Sequence, residues 1–265
     1  MAFCDEKHPA AFPDVTYGFY PVFAQLNHIP YTQVALRKDF TVNPDNYSGR
    51  RETIFIANPN APTGLALTPL QIGQIAASNP DNVVVIDEAY VDFGAESVIP
   101  LIHEYDNLLV IQTFSKSRSM AGARLGFAAG NRELIADLKK IKYSFNPYNV
   151  SSMAMAAGAG ALSDEEYRIS NCRIIQENRE YTSCELKKMG FELTDSLANF
   201  IFAVHPDIHG EELYLSLKSR GVLIRHFSLE RIKEYNRITI GTRAQMDIFL
   251  DNVRDILNSK GHSSL

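Results

Sequence analysis

Val83-Val84-Val85-Ile86-Asp87-Glu88-Ala89-Tyr90 decides the fold. Four consecutive β-branched residues without polar alternation predict a strand covered on both faces, the pattern of a parallel sheet. The run stops at two carboxylates. An unpaired carboxylate ending a buried strand is expensive, so Asp87 needs a partner.

Similar units lie on both sides. Thr53-Ile54-Phe55-Ile56 reads as a buried strand followed by the loop Asn58-Pro59-Asn60-Ala61-Pro62-Thr63-Gly64, with a helix starting at Thr68-Pro69. Leu108 to Gln112 predicts a third strand, ending at Thr113-Phe114-Ser115-Lys116, and Arg124 to Ala129 a fourth, before helical periodicity over 132–141. This alternation implies an α/β fold with a mostly parallel central sheet, and polar residues past its strand ends mark a ligand site. Upstream, Tyr17 to Leu26 predicts a helix behind the Pro13-Asp14 turn.

Beyond Asn146-Pro147 the texture changes. Ser151 to Leu162 and Asp164 to Met189 predict two helices leading to a smaller C-terminal α+β domain. There, strands are expected at 199–204, 222–224 and 237–240, with helices at 211–220 and 245–257. The expected division is 1–150 as a large domain, 151–190 as connecting helices and 191–265 as a small domain.

Lys116, at a strand end with Arg118 and Arg124 downstream, is a candidate imine-forming amine. Asp87 suits a pyridinium nitrogen equally well as a helix cap or a partner for Arg124. Tyr90 could reach the ring oxygen of the same ligand. Ser115 and Arg124 offer a hydroxyl and a guanidinium fork for a phosphate, and Tyr17-Gly18-Phe19-Tyr20 offers an aromatic face. Arg237, beside Ile238-Thr239-Ile240, calls for an anionic partner. Asp-Glu-Ala-Tyr also resembles a helicase box, but no Gly-rich Lys-Ser/Thr phosphate loop accompanies it.

Composition narrows the classes. With 265 residues, 45% hydrophobic, the chain can bury a large core. Its 26 basic and 31 acidic residues give a net charge of -5, offering no electrostatic reason to expect nucleic acid or an anionic membrane. Cys4, Cys172 and Cys184 fit neither a disulfide framework nor a zinc site. His205, His209 and His226 make no metal set and are expected on the surface or in loops. Without an apolar signal region or an 18-residue apolar run, the cytoplasm is the expected location.

These segments, together with Ala121-Gly122-Ala123-Arg124 and Arg237-Ile238-Thr239-Ile240-Gly241-Thr242, occur in the order found in fold-type I aminotransferases of the class II-like group. The chain is similar nearly end to end to the histidinol-phosphate aminotransferases among them. The resemblance implies pyridoxal 5'-phosphate as cofactor, with Lys116 forming an imine with its aldehyde and then shuttling the substrate's α-proton. It implies that Asp87 holds the pyridine nitrogen, Tyr90 the ring hydroxyl and Ser115 with Arg124 the phosphate, while Tyr17 stacks on the ring. Arg237 matches the substrate-carboxylate arginine, Arg225 one near the substrate's phosphate end, and Asn199 an asparagine lining the substrate side. The implied reaction moves an amino group between L-histidinol phosphate and 2-oxoglutarate in histidine biosynthesis. The small-molecule partners are thus an amino donor and a 2-oxo acid. Aromatic amino-acid aminotransferase, threonine-phosphate decarboxylase and an inactive fragment are the alternative readings.

Two departures stand out. The family has asparagine before Pro-Thr-Gly, where this chain has Ala61, leaving Asn60, Asn58 or Tyr90 alone to bond the ring oxygen. In the family, a homodimer, about 90 residues precede the segment matching Tyr17, among them a helix whose N-terminus cradles the phosphate. A large domain lacking them is expected to expose apolar sheet surface.

Overall fold

A computed structural model describes residues 2–261. The first sheet has six strands: β1 (Ala10–Pro13), β2 (Tyr31–Val34), β3 (Thr53–Ala57), β4 (Val84–Asp87), β5 (Leu108–Thr113) and β6 (Gly126–Gly130), in the order β2-β1-β3-β4-β5-β6. β1 through β5 are parallel. β6 runs antiparallel to β5, pairing Val110 with Ala129. The reversal follows from the connection 114–125, which has only a 3₁₀ turn at Ala121–Ala123 where a parallel return needs a long crossover.

The β-branched run of β4 lies at the centre, its Val84 and Ile86 packed with Ile54, Ile56, Ile72, Ile75, Leu108 and Val110. Helix α1 (Phe19–Leu26) follows β1, and α2 (Pro69–Ala77) follows β3. Thr68 starts α2 with a capping box: its hydroxyl accepts from Gln71 N, and Thr68 N donates to the Gln71 side chain. Helices α3 (Arg132–Phe145), α4 (Ser152–Ser163) and α5 (Glu165–Lys188) begin at Asn131, Ser151 and Asp164, whose side-chain oxygens accept from backbone N–H groups of the first turn.

Helix α5 leads into a smaller, antiparallel sheet ordered β7-β8-β10-β9. Its strands are β7 (Glu192–Leu193), β8 (Phe200–Val204), β9 (Arg225–His226) and β10 (Asn236–Thr239), with α6 (Gly210–Ser219) and α7 (Arg243–Gly261) packed over them. The strand expected at 222–224 lies instead at β9. Val222 N closes the end of α6 on the Leu217 carbonyl, so pairing begins only at Arg225. His205 lies in the connection after β8 and is buried there, its ring bonding Met189 O and Asp207 N.

The two sheets meet through Val15, Leu36 and Phe40 from the first body and Phe202 and Ile232 from the second. No helix among the described residues is long and apolar enough to cross a membrane. Cys4 and Cys172 are buried, Cys184 is exposed, and all three are free.

Candidate active site

The carboxyl ends of β4 and β5 open into a 310 Å³ cleft walled by Tyr17, Ala57, Ala61, Asp87, Tyr90, Ser115, Lys116 and Arg124, among others. Parallel pairing puts Asp87 opposite Ile111, and the connection after β5 brings Ser115, Lys116 and Arg124 to the same edge. Phe114 N to Leu125 O, 3.0 Å, pins the base of that connection.

Asp87 is the cleft's acid. Its Oδ1 accepts from Ala89 N at 3.1 Å and its Oδ2 from the Tyr20 hydroxyl at 3.0 Å. Burial pushes its carboxyl above the usual aspartate value, while the Tyr20 bond, the Ala89 N–H and the charge of Lys116 pull the other way. A carboxylate in that state gains from a cation placed against it. Tyr20 is held well above its ordinary value by burial and by Asp87, and so remains a neutral donor.

Glu88 is buried and is not part of the cleft wall. It accepts from the Ser97 hydroxyl, Val98 N and the Gln112 amide, at 2.6–2.7 Å. Burial raises its carboxyl too. The two acids of the motif therefore do different work: Asp87 lines the cleft, and Glu88, bonded to Gln112, ties the end of β4 to β5.

Lys116 Nζ lies 5.2 Å from the Tyr90 ring centroid. Tyr90 meets Phe200 edge-on at 5.1 Å, and the Arg237 guanidinium lies 4.9 Å from the Phe200 centroid. An aromatic bridge thus connects the lysine on the first sheet to the arginine on the second. Arg124, in a left-handed conformation at φ +52°, donates to Ala121 O at 2.8 Å and to Ser115 Oγ at 3.5 Å. Tyr17 stands half-exposed at the cleft mouth, edge-on to Tyr20 at 5.5 Å.

Residues just past Lys116 are gripped from outside. Ser117 donates to Asp92, Asp92 pairs with Arg168 at 2.9 Å, Arg168 with Glu165 at 2.6 Å, and Glu165 with Arg118 at 3.0 Å. This chain of alternating charge starts and ends on the two residues following the lysine, and fastens its loop to α5. Its links are up to 76 residues apart, out of reach of a reading by local spacing.

Arg237 and Arg225 pair in register across β10 and β9. Burial, and to a lesser degree Arg225, lower the Arg237 guanidinium from its usual value, against an opposing influence of Tyr90. Its Nε is buried with no hydrogen-bond partner among the described residues. Arg225 is exposed, 5.5 Å from the Phe227 ring centroid. Asn199, half-buried, begins the turn into β8, its carbonyl accepting from Ile240 N at 2.9 Å. These three stand outside the walls of the 310 Å³ cleft.

Asn60 is placed away from the cleft. Its amide donates to Val15 O and Thr63 Oγ1 and accepts from Thr16, so every polar group is engaged in bracing the loop. Asn58 is likewise engaged with both backbone groups of Leu67. Ala61 and Tyr90 line the cleft wall, and Asn60 and Asn58 do not. Tyr20 was visible in the aromatic motif, but its bond to Asp87 depends on the phase of a helix that starts only at Phe19.

The donor set fits pyridoxal phosphate. Its cleft presents an amine for an aldehyde, a strained carboxylate for a ring nitrogen, phenols for the ring and a hydroxyl–guanidinium pair for phosphate. No group of three or more His, Cys, Asp or Glu among the described residues could hold a metal.

Comparison with known proteins agrees with this arrangement. The model of the family "Aminotransferase class I and II" matches residues 1–253. Histidinol-phosphate aminotransferase of Brachyspira hyodysenteriae is 47% identical over 260 residues, 98% of this chain and 73% of that protein. Histidinol-phosphate aminotransferase 1 of Bordetella parapertussis is 45% identical over 98% of this chain and 74% of its own length. Among solved structures, the histidinol-phosphate aminotransferase from Clostridium acetobutylicum superposes with a TM-score of 0.89 at 23% identity, covering 95% of this chain and 78% of that one. The Sinorhizobium meliloti enzyme in complex with pyridoxal-5'-phosphate gives 0.87 at 21% identity, covering 96% and 72%. On these matches in sequence and fold, the chain belongs to the class I and II aminotransferases, in the histidinol-phosphate aminotransferase family.

Proposed function

We propose that this protein uses pyridoxal 5'-phosphate to move an amino group between L-histidinol phosphate and 2-oxoglutarate. The observation that carries the reading is the convergence of Lys116 and Asp87 on one cleft, at the ends of two adjacent strands, with Arg237 beside it offering a buried, unpartnered donor.

Bound in this cleft, the cofactor supplies an electron sink that acidifies the α-C–H of an attached amine. The protein does the rest. Lys116 would supply the amine that holds the aldehyde and, as a free amine, would be the base that takes the proton from the substrate's α-carbon. Asp87, poorly solvated, would hold the ring nitrogen and keep it protonated. Tyr90 donates to the ring oxygen, and its ring restrains the Lys116 amine. Ser115 and Arg124 take the phosphate, and Tyr17 covers the ring. Arg237 receives the substrate carboxylate. Arg225, more exposed, receives the far end of the substrate, either the phosphate of one partner or the second carboxylate of the other. Asn199 lines the substrate side.

The same reading divides the chain into a cofactor-binding domain over 1–150, connecting helices over 151–190 and a small domain over 191–265, following the change of sheet across α4 and α5. It includes a homodimer, supported by the exposed aromatic residues Phe19, Phe23, Tyr143 and Phe145, and a cytoplasmic location, supported by three free cysteines.

An absorbance titration with pyridoxal phosphate tests the core of the proposal. A saturable visible band, absent in Lys116→Ala, is expected, followed by turnover of histidinol phosphate well above that of phenylalanine or tyrosine. Folded protein that gives no band overturns the assignment.

A further inference from the structure

Arg231 lies on the 3₁₀ turn Glu230–Ile232, at the tip of the connection between β9 and β10. Those strands carry Arg225 and Arg237. Its guanidinium reaches across to the first body. One nitrogen pairs with Asp14 Oδ2, and another donates to the carbonyls of Leu36 at 2.9 Å and Arg37 at 2.6 Å. The Phe40 ring centroid lies 5.4 Å from its central carbon.

The receptor is prepared for it. Asp14 Oδ1 accepts from Val15 N and Leu36 N, which orients Oδ2 toward the arginine. A planar fork that meets one carboxylate and two carbonyls at once is something lysine cannot reproduce. Apolar packing of Ile232 with Val15, Leu36 and Phe40 surrounds the joint.

Both ends of this joint lead into the site. On one side, Asp14 is three residues before Tyr17, and the next two residues, Val15 and Thr16, bond to Asn60 beside the cleft wall at Ala61. On the other, β9 and β10 emerge from the seated loop with Arg225 and Arg237 paired. Arg231 itself touches neither the cleft nor the two anion-binding arginines.

We propose that Arg231 is a positioning residue for substrate. By seating the β9–β10 connection in the Asp14–Leu36–Arg37 receptor, it sets the height of Arg225 and Arg237 above the Tyr17–Asp87–Lys116 cleft. The proposal rests on the reading of those two arginines as the substrate's anion clamp. The physical basis is that an anion clamp held at the wrong height binds ground state and transition state less well alike, which raises KM and leaves kcat nearly unchanged. The joint holds none of Asp87, Ser115, Lys116 and Arg124, which stand at the ends of β4 and β5, so the loss is expected to fall on substrate binding rather than on the chemical step.

The test uses the cofactor-loaded protein and two measurements: steady-state kinetics with both substrates, and calorimetric binding of maleate, a dicarboxylate that does not react. Arg231→Gln and Asp14→Asn are each expected to raise KM and the maleate Kd about 10-fold or more while kcat changes less than about 3-fold. Arg231→Lys is expected to recover only part of the affinity. Arg254→Gln, which breaks an ion pair with Glu185 and Asp251 far from the joint, is expected to change neither number. Unchanged maleate affinity in Arg231→Gln overturns the proposal, as does a fall in kcat with KM unaltered. Should Arg231→Gln not fold, Asp14→Asn decides by the same two numbers. A wild-type protein that binds no maleate overturns the clamp reading itself. Wild-type binding matched by Arg231→Gln overturns only the positioning role.

Discussion

The Tyr20 hydroxyl donates to Oδ2 of Asp87 at 3.0 Å, from a helix 67 residues upstream of the strand that ends in the acid. It is one of only two hydrogen bonds to that carboxylate among the described residues, the other coming from Ala89 N. Burial raises the Asp87 carboxyl and the Tyr20 bond lowers it, so Tyr20 governs how readily Asp87 stays ionised. Tyr20→Phe is expected to move the acid limb of the pH–rate profile to higher pH. Bonds to charged groups contribute about 1.5–3 kcal/mol, so kcat/KM should fall roughly 10-fold or more. An unchanged profile would show that Asp87 does not depend on this donor.

Asp87→Asn should separate stability from activity. The folded-state value of Asp87 lies above its unfolded value, so ionised Asp87 opposes folding in the cofactor-free protein. That opposition is fully present above the raised value and disappears below the unfolded value of about 4. The variant is therefore expected to melt higher than the wild type at pH 8. The gap should close as pH falls, while cofactor binding is lost. Melting curves from pH 4 to 8 check the sign, and a variant melting lower at pH 8 refutes the argument.

Arg237→Gln removes a buried cation whose Nε has no partner, so cofactor-free stability should change little. Truncating one member of a desolvated charge pair with substrate costs about 2–5 kcal/mol, which predicts a rise in KM for the 2-oxo acid of roughly 30-fold or more. Kinetics with 2-oxoglutarate, alongside a melting curve, measure both effects.

Gly64 adopts φ +75°, and a Cβ there would overlap the side chain of Ser196 and lie 2.9 Å from its Cα. Around it Thr194 donates to Thr63 O and Leu197 N to Gly64 O, joining the loop after β3 to the second body. Gly64→Ala must strain the backbone or part that contact. A cost of about 2 kcal/mol or more should lower Tm by roughly 5 °C or more in a chain of this size. A Tm within 1 °C of wild type would contradict the geometry, given a resolution of about 0.5 kcal/mol.

How far the sequence could be read depended on whether its signals were local. β3, β4 and β5 were legible because β-branched runs have few other uses, and the threonine cap and proline at Thr68-Pro69 announced α2 within a residue. β1 escaped: Ala10-Ala11-Phe12-Pro13 has no β-branched residue and ends in proline, and only its neighbours on both edges make it an interior strand. The direction of β6 depended on the path of a loop that periodicity does not encode. In the site, Asp87, Lys116, Ser115 and Arg124 were legible from strand ends, since a parallel sheet gathers such residues at one edge. That Asn60 braces its loop and does not line the cleft was not legible, because adjacency in sequence says nothing about which way a loop turns an amide. The burial of His205 was not legible because it is decided by Phe191 and Met189, brought to it by the second sheet.

Arg231 and Asp14 are separated by 217 residues, which bears on how the protein is made. A ribosome has already released the six strands of the first sheet by Gly130, and synthesis proceeds at about 5–20 residues per second. Those strands can pair, and Lys116 and Asp87 can meet, many seconds before the arginine emerges. Until then the Asp14 receptor and the apolar residues around it have no cover from their own chain. The nascent protein therefore passes through a stage in which its cofactor-binding strands are complete but its substrate arginines are not yet made. In that interval other proteins in the cell have access to the surface on which the second sheet will close.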